Sequence, residues 1–152
     1  QENLIHTFLN NGLTIEQKNG KVYVSLDESL LFASGKYDIE KKGKEALNNL
    51  GAVLEKNADV NVLVEGHTDN VPFNSTGIIK DNWDLSVKRA TSVVKIILEK
   101  NNIDAQRLTA AGRADYDPIS TNDTKEGRAK NRRTEIILTP KLDELFKLLE
   151  SN

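Results

Sequence analysis

The first part of the chain contains two stretches in which apolar and polar residues alternate. Asn19 and Gly20 separate the stretches, and this dipeptide favours the tight turn of a β-hairpin. Side chains of a strand alternate between its two faces, so Val22, Val24 and Leu26 share one face of the second stretch. The pattern predicts a β-hairpin, and an apolar patch follows it at residues 30–32.

Two longer segments repeat apolar residues at spacings of three and four, which is the helical period. The first is predicted to begin at an N-cap at Asp38 and to run to about Lys56. The second is predicted to run from about Asn82 to Asn101. A short amphipathic helix is expected after Pro140, where it would cover the sheet or contact a second copy of the chain.

The remaining segments are predicted to be strands and loops. Strands are expected at residues 60–66, 106–111 and 132–139. Mostly loop is expected at residues 67–81 and 112–131. The order hairpin, helix, strand, helix, strand, strand, helix indicates an α/β fold (α+β), a two-layer sandwich with helices on one face of a mixed sheet.

The apolar residues of the first long loop leave two interpretations open. Phe73, Ile78 and Ile79 either fold back on the core or line a binding groove.

Composition and charge narrow the function classes. The 152 residues include 21 basic and 23 acidic side chains, with 29% charged and 38% hydrophobic residues, as in a soluble globular domain. This balance argues against a nucleic-acid binder. The absence of cysteine excludes disulfides and thiolate metal sites. The apolar runs are too short to span a bilayer.

Polar residues that could form a site concentrate in three segments: Gly66–Asp69, Asn82–Arg89 and Asn122–Arg133. They fall after the central strand, at the start of the second long helix and before the last strand. Loops that follow strands and helix N-termini are where α/β proteins often bind ligands. The three segments are therefore candidates for a common site.

The charges in these segments suit a zwitterion. Asp69 would accept hydrogen bonds from an ammonium group, and Arg89 would bind a carboxylate with its planar donors. A free amino-acid head group is the simplest ligand of this kind. The alternative is that Asp69 and Arg89 pair with each other at the surface, which would contribute only ~0–1 kcal/mol.

Other chemistry has little support. His67 and Asp69 form an H-x-D pair of the kind that can bind metals, but only His6 could add a second imidazole. His67 is more simply interpreted as a hydrogen-bonded structural residue. Ser75 and Ser86 have no Ser–His–acid arrangement. We therefore expect no catalytic residue, no metal site and no cofactor.

A basic cluster precedes the last strand; its members are Lys125, Arg128, Lys130, Arg132 and Arg133. Nucleic-acid binding would require interleaved aromatic residues, which this cluster lacks. A solvated loop edge is the simpler interpretation.

The same segments resemble the OmpA-like peptidoglycan-binding domain. Gly66–Asp69 matches its G-H-T-D motif, residues 82–90 match N-x-x-L-S-x-x-R-A, and Asn122–Arg133 matches N-x-T-x-E-G-R-x-x-N-R-R. Leu31–Gly35 matches L-F-x-S-G, so the resemblance covers about residues 22–139. The chain departs from the family at Arg113-Ala114, where an aromatic residue and a glycine are frequent.

The resemblance implies non-catalytic, non-covalent binding of peptidoglycan at the free end of meso-diaminopimelate in the stem peptide. The family's ammonium and carboxylate contacts correspond to Asp69 and Arg89. Its supporting contacts correspond to Thr68, Asn82, Leu85 and Arg132. The alternative function is a protein-interaction or oligomerisation module, such as a homodimer that uses residues 70–81 and the last helix.

The resemblance also implies a domain organisation and a location. We expect an N-terminal segment with the first hairpin strand at 1–21, the OmpA-like domain at 22–139 and a C-terminal helix packed on it at 140–152. Because the chain starts at Gln1 and has no Met, we expect a processed or excised fragment. The parent protein would be periplasmic, attached through an upstream segment to the outer membrane, or to the inner membrane as a stator subunit.

Overall fold

A five-stranded mixed sheet forms one layer of the fold. The computed structural model describes residues 13–140 and Leu149, so His6 and the helix expected after Pro140 lie outside the described residues. The strands are β1 (Leu13–Lys18), β2 (Lys21–Asp27), β3 (Val60–His67), β4 (Leu108–Gly112) and β5 (Arg133–Pro140). Their order is β1-β2-β5-β3-β4, with β3 and β4 parallel and the other neighbours antiparallel.

Helices form the second layer. They are α1 (Glu28–Leu31), α2 (Lys41–Lys56), α3 (Asn82–Glu99) and α4 (Lys125–Asn131), with a 3-10 turn at Ala105–Arg107. The long helices α2 and α3 pack on each other, and α3 also packs on β3 and β4. Their buried residues form one core with the sheet face that carries Val62, Val64 and Ile136. The two-layer α/β fold predicted from the sequence is confirmed.

The hairpin and both long helices lie close to their predicted positions. Asn19 and Gly20 have φ values of +53° and +76°, the left-handed conformation that the tight turn needs. The register that pairs Leu13 with Leu26 places Val24 and Leu26 in the core. Hydrophobic periodicity therefore located the main elements.

One helix boundary was predicted wrongly, and two short helices were not predicted. Helix α2 begins at Lys41 rather than after Asp38, because Ile39 pairs with Phe32 in an isolated β-bridge and keeps the preceding backbone extended. The segment 112–131, expected to be mostly loop, ends in α4, where the Thr124 hydroxyl accepts a hydrogen bond from the Gly127 amide at 3.0 Å. The apolar patch after the hairpin includes the short helix α1.

Two glycines let α3 lie directly on the ends of the parallel strands. A Cβ atom at Gly66 would overlap the Ser86 carbonyl oxygen, and one at Gly112 would lie 2.6 Å from the Val87 nitrogen. No other residue permits this approach, since real side chains avoid such distances. The first turns of α3 are therefore held beside the loop that follows β3.

In the loop after β4, Ala114 adopts the left-handed backbone conformation that usually requires glycine. Ala114 has φ of +49°, a conformation that costs an L-residue about 1–2 kcal/mol. Its carbonyl accepts a hydrogen bond from the Thr68 amide at 2.8 Å, and its own amide donates to the Ser86 hydroxyl at 3.1 Å. These buried contacts hold the loop against the end of β3 despite the departure at Arg113-Ala114.

We predict that Gly66→Ala destabilises the fold by about 1–3 kcal/mol, because the added methyl group must displace the backbone of α3. Urea unfolding measures the change. The matched control is Gly77→Ala, where the nearest atom to an added Cβ is the Ser75 hydroxyl oxygen at 3.4 Å. Equal stability of the Gly66→Ala variant and the wild type would contradict the close approach.

Candidate functional site

One open cavity of about 470 Å³ lies where β3 ends and α3 begins. The residues that line it include all six candidates from the sequence: Thr68, Asp69, Asn82, Leu85, Arg89 and Arg132. Eight further residues that were not among these six also line it: Glu28, Ser34, Gly35, Val71, Pro72, Phe73, Lys125 and Arg128. Segments that are distant in the chain thus meet around one cavity.

Asp69 lies in the loop directly after β3 and is buried. One carboxylate oxygen, Oδ1, accepts a hydrogen bond from the Val71 amide at 3.0 Å. The other, Oδ2, accepts one from Arg132 Nη1 at 2.8 Å. The local turn and a cation therefore fix the orientation of this carboxylate toward the cavity.

Arg89, on the second turn of α3, is buried and makes several tertiary contacts. Its Nη1 donates to Glu28 Oε2 at 2.7 Å, and its Nε donates to the Lys36 carbonyl at 2.7 Å. The guanidinium also lies 4.6 Å from the centre of the Phe32 ring. The alternative of a surface pair between Asp69 and Arg89 is wrong, since both are buried and each has other partners.

Glu28, which the sequence analysis missed, connects the two arginines. Besides its contact with Arg89, its Oε1 accepts a hydrogen bond from Arg132 Nε at 3.1 Å. The Glu28 amide donates to the Arg132 carbonyl at 3.0 Å, which attaches α1 to the start of β5. Its position one helical turn before the L-F-x-S-G segment is the only signal in the sequence.

Asn82 fixes the loop after Asp69 against the start of α3. Its side-chain amide donates to the Val71 carbonyl at 3.0 Å and to the Asp69 carbonyl at 3.4 Å. The Thr68 hydroxyl also donates to the Asp69 carbonyl, at 2.8 Å. Asn82 and Thr68 therefore position the backbone that carries the carboxylate.

The cavity carries an excess of positive charge. Its basic residues are Arg89, Lys125, Arg128 and Arg132, whereas its acidic residues are Glu28 and Asp69. Burial works against the charged form of Arg132, but its hydrogen bond to the Asp69 carboxylate and the charges of Glu28 and Asp69 raise its pKa. An anionic group, such as a carboxylate, would balance the excess.

The members of the basic cluster lie in three different environments. Lys125, Arg128 and Arg132 line the cavity, and Lys130 is exposed to solvent. Arg133 lies on the far face, where its Nη2 donates to Glu135 Oε2 at 3.2 Å. The cluster therefore does not form a continuous basic surface.

The apolar residues of the 68–81 loop are divided as well. Ile79 is buried, and Phe73 lines the cavity. Ile78 is 88% exposed. Burial thus holds for Ile79, whereas Phe73 lines the cavity and Ile78 lines a separate shallow groove beside Trp83.

His67 is buried on the sheet face opposite the core. Its Nε2 lies 2.8 Å from Glu65 Oε1 and 3.3 Å from Glu135 Oε2. Burial alone would lower the pKa of His67, but hydrogen bonds to Glu135 and Glu65 outweigh burial and raise it. The same bonds lower the pKa values of Glu65 and Glu135. His67 therefore has structural partners, as the sequence analysis favoured.

One group among the described residues has carboxylate and imidazole atoms close enough to share a metal ion. Glu65, His67 and Asp117 bring such atoms within 4.8 Å of one another. None of the three lines the cavity, and Asp69 does not belong to the group. Arg133 and Arg113 supply positive charge beside these carboxylates. His67 and Asp69 of the H-x-D pair therefore do not belong to one common group of ligand atoms.

Comparison with protein families gives one match over most of the chain. The OmpA family model matches residues 31–132. Among curated proteins, the chain is 32% identical over 133 residues to motility protein B of Bacillus subtilis (strain 168), covering 88% of this chain and 51% of that protein. It is 35% identical over 116 residues to outer membrane protein Omp38 of Acinetobacter baumannii, covering 76% and 31%. The matched region is thus about half the length of motility protein B and about a third of the length of Omp38.

Solved structures show the same fold. A putative MotB-like protein from Desulfovibrio vulgaris superposes with a TM-score of 0.83 at 28% identity, over 92% of this chain and 91% of that one. The cell wall anchor of the T6SS from Pseudomonas aeruginosa superposes with a TM-score of 0.80 at 32% identity, over 90% and 97%. Within the described residues, no helix has the length and apolar character needed to cross a membrane.

We predict that the stabilising effect of His67 depends on pH. Its raised pKa means that its contribution is complete below about pH 6.5, the usual His value, and is lost as pH rises through the folded-state pKa. The free energy of unfolding in urea, measured for wild type and His67→Gln at pH 6 and pH 8, gives the contribution by difference. We expect a smaller difference at pH 8; a difference that does not change with pH would contradict the assignment.

We also predict that Arg89→Ala destabilises the fold by about 3–5 kcal/mol, because it removes one of the two arginine donors to the half-buried Glu28 carboxylate and leaves the Lys36 carbonyl without its donor. Arg113→Ala, at an exposed position, is the control and should cost far less. Equal stability of the two variants in chemical denaturation would show that Arg89 does not hold the site together.

Proposed function

Because this chain belongs to the OmpA family, a non-enzymatic peptidoglycan-binding family, we propose that its cavity binds peptidoglycan at the free end of diaminopimelate in the stem peptide. That end carries an ammonium and a carboxylate on one carbon atom. The observation that supports the proposal most directly is that a buried carboxylate, Asp69, and a buried guanidinium, Arg89, line the same open cavity.

Asp69 is the proposed acceptor for the ammonium group. An ionised carboxylate has about four acceptor positions, and Val71 and Arg132 use two of those on Asp69. The neighbouring backbone is fixed by Asn82, so the carboxylate needs little rearrangement before it binds. This preorganisation reduces the entropy cost of binding.

Arg89 is the proposed donor for the ligand carboxylate. A guanidinium has five N–H donors, and the contacts with Lys36, Glu28 and Ala33 occupy three of them on Arg89. The ligand carboxylate would either use the remaining donors or take the place of Glu28. Lys125 and Arg128 at the edge of the cavity suit the further carboxylates of a stem peptide.

The relatives support a role in attachment to the cell wall. One solved relative, 32% identical over most of both chains, is described as the cell wall anchor of a secretion system. We propose that this chain likewise attaches an envelope protein to peptidoglycan. Since the relatives include motility protein B and an outer membrane protein, the outer-membrane location stays a prediction.

We predict that Asp69→Asn and Arg89→Lys each weaken binding to purified sacculi and to the tripeptide L-Ala-γ-D-Glu-meso-diaminopimelate by about 10–100-fold. The reason is that a hydrogen bond to a charged group contributes about 1.5–3 kcal/mol. Isothermal titration measures the tripeptide, and sedimentation with sacculi measures the polymer. Asp59→Asn, at an exposed position outside the cavity, is the matched control and should bind like wild type.

The ligand supplies the second control. A tripeptide with lysine in place of diaminopimelate keeps the ammonium group but lacks the adjacent carboxylate. Wild type should bind it at least about tenfold more weakly than the diaminopimelate tripeptide. Equal affinity for the two tripeptides, or unchanged affinity in folded Asp69→Asn and Arg89→Lys variants, would refute the proposed contacts.

A further inference from the structure

Two exposed aromatic side chains stack on each other outside the cavity. The ring centres of Trp83 and Tyr116 lie 5.4 Å apart, with 28° between the ring planes. Trp83 is 48% exposed and Tyr116 is 65% exposed, so solvent reaches both rings. Large aromatic side chains are usually more buried, and an exposed apolar patch commonly marks a binding surface.

The aromatic pair adjoins the segment that carries Asp69. Trp83 directly follows Asn82, whose side chain donates to the Asp69 carbonyl. Tyr116 lies two residues after Ala114, whose carbonyl accepts from the Thr68 amide. Thr68, Asp69 and Asn82 line the cavity, whereas neither aromatic ring does. The pair is therefore outside the cavity but attached on both sides to residues that form it.

The surface around Trp83 combines apolar and polar groups. A shallow groove of about 320 Å³ is lined by Trp83, Ile78 and Val87 together with the polar side chains of Asp84, Lys88 and Thr91. A pyranose ring has the complementary character, with C–H groups on its faces and hydroxyl groups around its edge. Aromatic faces are electronegative, so they attract the weakly positive C–H groups.

We propose that Trp83 and Tyr116 form a second contact site that stacks on a sugar ring of the peptidoglycan glycan strand. This inference rests on the proposed function, because the stem peptide bound in the cavity brings its own glycan with it. Three extended α-linked residues span about 10 Å, and the γ-linkage and the diaminopimelate side chain lengthen this path, so the attached sugar lies within about 20 Å of the bound head group. Because the sugar is tethered to the bound peptide, its effective concentration at the aromatic pair is high, and even a weak stacking contact strengthens binding.

The test compares two ligands that differ only in the sugar: the diaminopimelate tripeptide and the same tripeptide attached to its N-acetylglucosamine–N-acetylmuramic acid disaccharide. Wild type should bind the disaccharide form about 3–10-fold more tightly, the range expected from one stacking contact. Trp83→Ala and Tyr116→Ala should remove this difference while binding the tripeptide like wild type. Trp83→Phe should retain part of it, and Ile119→Ala, at an exposed position outside the groove, should retain all of it.

Fluorescence gives an independent readout, since Trp83 is the one tryptophan of the chain. Adding the disaccharide form should shift its emission more than adding the tripeptide does. Equal wild-type affinity for the two ligands would overturn the inference and leave the proposed function intact. Failure of wild type to bind either ligand would refute both. A concentration-dependent dimer in sedimentation that Trp83→Ala abolishes, without any effect of the sugar, would assign the patch to a second copy and also overturn the inference.

Discussion

The site depends on a row of buried and half-buried charges of alternating sign. Asp69 contacts Arg132, Arg132 contacts Glu28, and Glu28 contacts Arg89. These four residues come from the loop after β3, the end of α4, the short helix α1 and the second turn of α3. Removing Glu28 would take from Arg89 its partner in the row, and removing Arg132 would do the same to Asp69, which is costly away from water. The charge row therefore holds four segments together and also defines the cavity.

A zwitterionic ligand can join this row without breaking the alternation of charges. Its ammonium would lie against Asp69 and its carboxylate against Arg89, at the two ends of the row. Glu28 already provides a carboxylate to Arg89, so the ligand carboxylate would share or replace that contact. Binding would then exchange one ionic hydrogen bond for another, which implies modest affinity for a single stem peptide. Attachment of a whole protein to the wall would come from many such contacts on one polymer.

Sequence patterns predicted the helices and strands well where residues close together in the chain determine the local conformation. The Asn19-Gly20 turn follows from the backbone preference of this dipeptide. The buried apolar faces of α2 and α3 follow from the spacing of apolar residues at the helical period. The start of α2 was placed too early because the bridge of Ile39 to Phe32 is a tertiary contact. Helix α4 was missed because it is short and contains Gly127, and glycine is a weak helix former. The glycine is needed there because a side chain would overlap the Thr121 carbonyl.

The candidate site shows the same division. Asp69 and Arg89 were selected from their charges and from the family resemblance, and both line the cavity. Glu28 was missed, because its partners Arg89 and Arg132 lie 61 and 104 residues away in the chain and no local pattern connects them. The stacking of Trp83 on Tyr116 likewise joins two residues that lie far apart in the chain, so no local pattern indicated it.

The most direct test of this account is an NMR titration of the labelled chain with the diaminopimelate tripeptide. It would follow the carboxylate carbon of Asp69 and the Nε–H of Arg89 in the same experiment. We expect both signals to shift and to saturate at the same ligand concentration, since one zwitterion contacts both groups. A shift of only one signal, or saturation at two different concentrations, would contradict the claim that one ligand head group bridges the two ends of the charge row.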